Sequence, residues 1–248
     1  MQSITRLRDR AEMLTPPLPW DKARWRDNGG PVVILLHGLW RGLRAMEPLA
    51  RELHQAGFST LNLPYPSTRM PIPMLVGRIR AECRAIEARA PGRPVHFITH
   101  SLGGILLRSL LAEDPEMPAA RVVMLAPPNS GSEIVDWSRS HPLIHRLLGP
   151  AGRALGSDGI PVSLPPFPSR IEAAVIMGRR CTVPLFKHLL DEDNDGIVSA
   201  AKGRIEGLER FTVIDADHTF IQVHPEAIRL SLRFLQSGEW DEESAANH

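Results

Sequence analysis

The sequence of 248 residues is short of cysteine, of net charge and of long apolar runs. Its two cysteines cannot form a disulfide framework. Cys83 falls on an apolar stripe at helical spacing, which favours a thiol buried in the core. The formal net charge of +1 gives no basis for binding nucleic acid.

Membrane insertion and secretion are also not indicated. No stretch reaches the roughly 18 consecutive apolar residues that a membrane-spanning helix needs, so we expect membrane contact that is peripheral at most. No long apolar segment follows Met1, as a secretory signal would require, and the expected location is the cytoplasm. The sequence makes no prediction about the oligomeric state.

Apolar runs of strand length alternate with segments of helical periodicity along most of the chain. This alternation predicts an α/β protein in which a mostly parallel central sheet is covered by helices on both faces. We assign residues 1–30 to an N-terminal helix (2–14) and a linker, 31–236 to the α/β domain, and 237–248 to a polar tail. The expected strands cover residues 32–36, 58–63, 95–99, 121–126, 172–177 and 210–214, and the expected helices include 73–90, 103–112 and about 225–236.

Residues 138–170 depart from the alternation and predict an insertion over the edge of the sheet. The segment is rich in proline and in apolar residues. Two interpretations fit it equally: a lid that moves at an interface, or a static cap that packs on the sheet. Long loops are frequently functional, but that tendency does not choose between the two.

The most informative run is the apolar segment 95–99 followed by His100-Ser101-Leu102-Gly103-Gly104. A strand that ends at a serine and turns at once into a helix presents the hydroxyl on a sharp, strained turn. Residues two positions away must then be small, as Gly103 is, whereas Thr99 stands where such turns usually have glycine. Ser101 is therefore a candidate nucleophile. A plain helix-capping serine is the alternative, and it leaves the two glycines unexplained.

A serine hydroxyl becomes a good nucleophile when a base removes its proton and a third group orients that base. On a sheet of this kind the acid and the histidine follow the serine along the chain. Three aspartates share one loop: Asp191, Asp193 and Asp195. His218 follows the last expected strand directly, whereas the rival His224 lies at the start of the last helix.

The aspartate loop has a second interpretation as a calcium site. Asp191-x-Asp193-x-Asp195-Gly196 matches the first half of an EF-hand loop. The twelfth position, where that loop has a bidentate glutamate, is Lys202, whose positive charge would repel calcium. We therefore predict no metal here.

The order and spacing of five motifs resemble the α/β-hydrolase superfamily, and within it a group of bacterial lipases and esterases. The resemblance extends from about residue 31 to residue 236. The matching motifs are His37-Gly38-Leu39-Trp40, His100-Ser101-Leu102-Gly103-Gly104, Pro127 to Ser132, Asp195-Gly196-Ile197-Val198 and His218. Thr99 is a departure from the family pattern.

The resemblance implies a Ser-Asp-His triad. Ser101 would be the nucleophile and His218 the general base. Asp195 would be the acid that orients His218, because the residues after it fit the family motif.

The resemblance also implies how the reacting oxygen would be held. The backbone N–H groups of Leu39 and Leu102 would form the oxyanion hole. His37 and His100 are expected to brace the backbone near it. Trp40 is a candidate for substrate binding, although it could equally pack under the loop that carries it.

The predicted function is a serine hydrolase that cleaves a small-molecule ester or lipid through an acyl-enzyme, with no cofactor. An acyltransferase or thioesterase with the same triad is one alternative, and exclusion of water decides between transfer and hydrolysis. A catalytically silent binding module on the same fold is the other, because a fold alone does not fix a function.

Overall fold

The computed structural model describes residues 11–183, 186, 188–191 and 193–240, except the side chain of Val162. Of the helix predicted over residues 2–14, residues 11–13 are helical and 2–10 lie outside the described residues. The predicted polar tail lies outside them from residue 241 onward.

A seven-stranded sheet forms the centre of the molecule, with strand order β1-β3-β2-β4-β5-β6-β7. All neighbouring pairs are parallel except β1 with β3, which is antiparallel. The strands are β1 (Arg24–Arg26), β2 (Val32–Leu36), β3 (Ser59–Leu63), β4 (Val95–His100), β5 (Arg121–Leu125), β6 (Glu172–Gly178) and β7 (Phe211–Ile214).

Helices cover both faces of the sheet, as the sequence predicts. Along β2, Val32 and Ile34 face one apolar cluster, whereas Val33 and Leu35 face the other. The two-residue period of a strand therefore divides one continuous apolar run between two cores. The helices are α1 (Leu43–Gln55), α2 (Ile72–Arg89), α3 (Leu102–Glu113), α4 (Glu133–Ser138), α5 (Pro142–Leu147), α6 (Gly149–Arg153), α7 (Ile160–Ser163) and α8 (Pro225–Ser237).

The helices divide between the two cores according to their apolar faces. Helices α2 and α3 contribute to the cluster that contains Val32, and α1 and α8 to the cluster that contains Val33. Cys83 of α2 is buried in the first cluster, and burial raises the pKa of its thiol to about 12. Across the described part of the chain, no helix has the length and apolarity needed to cross a membrane.

The edge strand β1 lies in the segment that we predicted to be a linker. It is only three residues long, and two of them are arginines. Arg24 and Arg26 both form ion pairs with Glu47 of α1, whose side chain is buried. The strand is thus held by contacts distant in sequence, which a local apolar pattern does not reveal.

The segment between β5 and β6 contains the four short helices α4 to α7 and includes the whole of the predicted insertion, 138–170. Ala151 and Leu155 are buried in the first core, and the Leu39 side chain lies close to Gly152. Leu143 and Leu147 of α5, in contrast, are exposed to solvent. One end of the insertion thus packs on the domain, while α5 presents apolar side chains outward.

Candidate active site

The three predicted triad residues follow the carboxyl ends of different strands. Ser101 follows β4, Asp195 lies in the loop beyond β6, and His218 lies just after β7. Strands β3 and β4 flank β2, so the chain reverses its direction of travel across the sheet there. Crevices at such a switch point are common ligand sites, and Ser101 stands beside it.

Ser101 occupies the sharp turn that the sequence predicts. Its φ of 52° and ψ of −120° place a non-glycine residue in a strained region of backbone space. A Cβ on Gly103 would lie 2.6 Å from the Leu36 carbonyl oxygen, so only glycine lets α3 approach β2 this closely. The Ser101 side chain makes no helix-capping hydrogen bond, which rules out the plain capping interpretation.

Thr99 stands where such turns usually have glycine, and Gly104 lies next to its side chain. Thr99 is fully buried, and its hydroxyl lies 3.3 Å from the point where a Cβ on Gly104 would stand. The second glycine of the motif therefore leaves room for the larger residue. Ser101 adopts the strained turn with Thr99 in this position.

A continuous hydrogen-bonded chain joins the three side chains. His218 Nε2 lies 3.0 Å from Ser101 Oγ, and His218 Nδ1 lies 2.7 Å from Asp195 Oδ2. The Asp195 side chain is completely buried and that of His218 nearly so. Ser101 and His218 are 117 residues apart in the sequence, and Asp195 and His218 are 23 apart, yet the three side chains are in contact. Their arrangement matches that of a nucleophile, a base and an acid that orients the base.

Backbone contacts hold the acid and the histidine together. The His218 N–H donates to the Asp195 carbonyl oxygen at 3.0 Å. The second carboxylate oxygen of Asp195 accepts from the N–H groups of Ile197 at 3.0 Å and Val198 at 2.8 Å. The carboxylate is therefore fixed on one side by amides and directed on the other toward His218.

The other candidates for acid and base have different surroundings. Asp191 and Asp193 are exposed, whereas Asp195 is buried. His224 precedes α8, and its ring nitrogen accepts from the Glu226 N–H at the start of that helix. Within the described residues, no group of three or more histidine, cysteine or acidic side chains is arranged to hold a metal ion.

The two predicted oxyanion donors lie beside the hydroxyl in the chain. Leu102 begins α3, directly after Ser101, and Leu39 follows Gly38. A Cβ on Gly38 would lie 3.2 Å from Ser101 Cβ, so the loop after β2 approaches the serine closely. Among the described residues we find no backbone acceptor for either leucine N–H, which leaves both donors available.

His37 contacts the backbone of this loop, and His100 contacts the backbone at His218. The His37 ring contacts the Gly38 carbonyl oxygen through Nδ1 at 2.9 Å, and His100 Nε2 contacts the His218 carbonyl oxygen at 2.9 Å. Burial lowers the pKa of His37 to about 4 and holds that of His100 well below its usual value. Both rings are therefore neutral at pH 7, and their role is to hold the backbone in place through hydrogen bonds.

Tyr65 supports the same loop and was not predicted. Its ring stacks on His37 with centroids 3.8 Å apart, and its hydroxyl donates to the His37 carbonyl oxygen. The Tyr65 N–H also donates to His37 Nε2 at 3.3 Å. Its position two residues after β3, at the edge where the site forms, was the signal available in the sequence.

Trp40 lies on the outer side of the loop. It is 42% exposed and adopts a left-handed φ of 61°. It lines a cavity of about 420 Å³ together with Tyr65 and a group of prolines. Trp40 therefore borders open space next to the candidate site, and its role in substrate binding stays a prediction.

Comparison with known proteins identifies the fold. No family model matches the sequence, and no curated protein matches it. Among solved structures, the mature lipase BlEst2 of Bacillus licheniformis is similar with a TM-score of 0.71 and 19% identity, over 86% of this chain and 96% of that chain. The chain spans 53% of the propeptide form of the same lipase.

Two metagenomic structures are also similar. One belongs to the lipolytic enzymes LipS and LipT, with a TM-score of 0.64 and 16% identity over 88% of this chain and 98% of that chain. The carboxyl esterase MGS0156 has a TM-score of 0.59 and 21% identity over 77% of this chain and 65% of that chain. The chain therefore has the α/β-hydrolase fold and is structurally similar to bacterial lipases and esterases.

Proposed function

We propose that this protein is a serine hydrolase that cleaves carboxylic esters through an acyl-enzyme. The observation that carries the proposal is the chain from Ser101 Oγ through His218 to Asp195, with distances of 3.0 Å and 2.7 Å. Ser101 lies in a strained turn, and its hydroxyl forms no capping hydrogen bond with the helix that follows. The solved lipase and carboxyl esterase with the same fold support esters as the substrate class.

The reaction proceeds in two steps, acylation of Ser101 and hydrolysis of the acyl-enzyme. Ser101 Oγ attacks the ester carbonyl carbon while His218 Nε2 takes the hydroxyl proton. His218 then gives that proton to the leaving alcohol as the carbon–oxygen bond breaks, which leaves the acyl group on Ser101. Water repeats the sequence with His218 as base and releases the carboxylic acid.

Backbone donors stabilise the charge that develops on the carbonyl oxygen. Leu102 follows Ser101 in the chain, and Leu39 lies in the loop that approaches it, so their N–H groups are the proposed donors to the tetrahedral oxyanion. Loss of one such donor typically costs roughly 2.7–4 kcal/mol of barrier. Only their amides are used, so the apolar side chains of both leucines are free to pack, and Leu102 is fully buried.

The test is hydrolysis of p-nitrophenyl esters of increasing acyl length by the wild type and by Ser101→Ala. We expect hydrolysis by the wild type and its loss in the variant, with the chain-length profile separating an esterase from a lipase. Analysis of the acyl product separates a hydrolase, which yields free acid, from a transferase, which yields a new ester or amide. A folded wild type that cleaves no ester in the series would contradict the proposal.

A further inference from the structure

The cavity beside Trp40 combines cationic and apolar walls. Arg69, Arg78, Trp40 and Tyr65 line it, together with prolines from the N-terminal segment and from the loop after β3. Its volume of about 420 Å³ falls in the range of roughly 300–1,000 Å³ that small-molecule sites occupy. The cavity is therefore large enough to receive part of a substrate.

The arginines of this cavity are not paired with a carboxylate from any described residue. Asp21 also lines it, but that carboxylate is paired with Arg44 at 2.9 Å and accepts from the Leu18 N–H at 2.9 Å. Arg69 and Arg78 form no ion pair with any of the residues that the structure describes. Two guanidinium groups at this cavity thus have no carboxylate partner in the described part of the chain.

A third unpaired arginine follows Trp40 directly. Arg41 is half-buried, and burial lowers the pKa of its guanidinium. It has no ion-pair partner in the described part of the chain, and its charge helps to lower the pKa of His100. Arg41 therefore adds a third positive charge near His100, which lies beside the candidate base His218.

The cavity wall and the candidate active site share the same loop. Trp40 is adjacent to Leu39, whose N–H is a proposed oxyanion donor. On the other side, Gly38 approaches Ser101 to within contact distance, and Tyr65 stacks on His37. One short segment thus approaches Ser101 at Gly38 and lines this cavity at Trp40.

We propose that the ester substrate carries an anionic group, a phosphate or a carboxylate, which Arg69 and Arg78 bind while Trp40 contacts its apolar part. The inference rests on the proposed ester hydrolysis and names the substrate class for it. Guanidinium groups bind both oxyanions through charge-assisted hydrogen bonds, and an adjacent aromatic ring supplies apolar contact area. The bound anion directs the ester toward Ser101.

The test compares pairs of esters in which one member carries an anionic group and the other does not. Butyrylglycerol phosphate is paired with monobutyrylglycerol, and monoethyl succinate with ethyl butyrate, and acid release is followed in a pH-stat. The first pair tests a phosphate and the second a carboxylate. The enzymes are the wild type, the double variant Arg69→Gln/Arg78→Gln, and Arg89→Gln as a control, because Arg89 is an exposed arginine on α2 outside the cavity lining.

We expect the wild type to prefer one anionic ester over its neutral match by about tenfold in kcat/KM, because hydrogen bonds to charged groups are the strong ones. The double variant should lose this preference and Arg89→Gln should keep it. Hydrolysis of all four esters without a preference for charge would overturn this inference alone, as would a preference that survives the double variant. A wild type that cleaves p-nitrophenyl esters but none of the four would also overturn this inference, whereas failure on both sets of esters would overturn the proposed function.

Discussion

Replacing Asp195 by asparagine should nearly abolish ester hydrolysis without unfolding the protein. The asparagine oxygen can still accept from the N–H groups of Ile197 and Val198, which bond one carboxylate oxygen at 3.0 Å and 2.8 Å. Its NH₂ group then faces His218 Nδ1, which the carboxylate now contacts at 2.7 Å. A donor in that place forces the proton of the imidazole onto Nε2, so the ring can no longer accept the proton of Ser101.

The size of the loss in Asp195→Asn follows from the proton being held on His218 Nε2. An amide in place of a triad carboxylate lowers kcat by about 10⁴-fold, which corresponds to roughly 5.5 kcal/mol of barrier. The assay is kcat for p-nitrophenyl butyrate, with urea unfolding to show that the variant is folded. Asp193→Asn is the matched control in the same loop, because Asp193 is exposed, and its activity should stay close to that of the wild type. Equal activity in both variants would refute the assignment of the acid.

Two further predictions concern stability. His37 is neutral in the folded state because burial lowers its pKa from 6.5 to about 4, so its contribution is present above pH 6.5 and is lost as the pH falls toward 4. Urea unfolding at pH 7 and pH 5 should show a loss of stability that is about 2 kcal/mol smaller in His37→Gln than in the wild type. Gly103→Ala should destabilise the fold by about 1–3 kcal/mol, because its Cβ meets the Leu36 carbonyl oxygen at 2.6 Å. Gly77→Ala, whose Cβ meets nothing within 4 Å, should be neutral or stabilising in the same assay.

The parallel sheet could be predicted from the sequence to within one or two residues at the strand ends. Most of the parallel strands are short, mainly apolar runs, and burial on both faces makes these runs stand out from the helical periodicity around them; β3, with Ser59, Thr60 and Asn62, is the exception. The three-residue β1 could not be predicted, because its pairing depends on Glu47 of a distant helix. The helices α4 to α7 have only four to six residues each, too few to show a period.

The candidate site could be predicted because strand ends converge on one edge of a parallel sheet. That rule brings Ser101 and His218 together although they are 117 residues apart. The choice of Asp195 over its neighbours depended on a family motif, and burial now separates them physically. Tyr65 was missed because its role arises from stacking on His37, a contact between loops that no periodicity encodes.

Covalent labelling of Ser101 tests the central claim most directly. A fluorophosphonate probe reacts with a serine only where a base and an oxyanion hole activate it. Incubation with the folded wild type, followed by peptide mass mapping, should place the adduct on Ser101, and Ser101→Ala should take up none. An unlabelled folded wild type, or an adduct on another residue with Ser101 unmodified, would contradict the account.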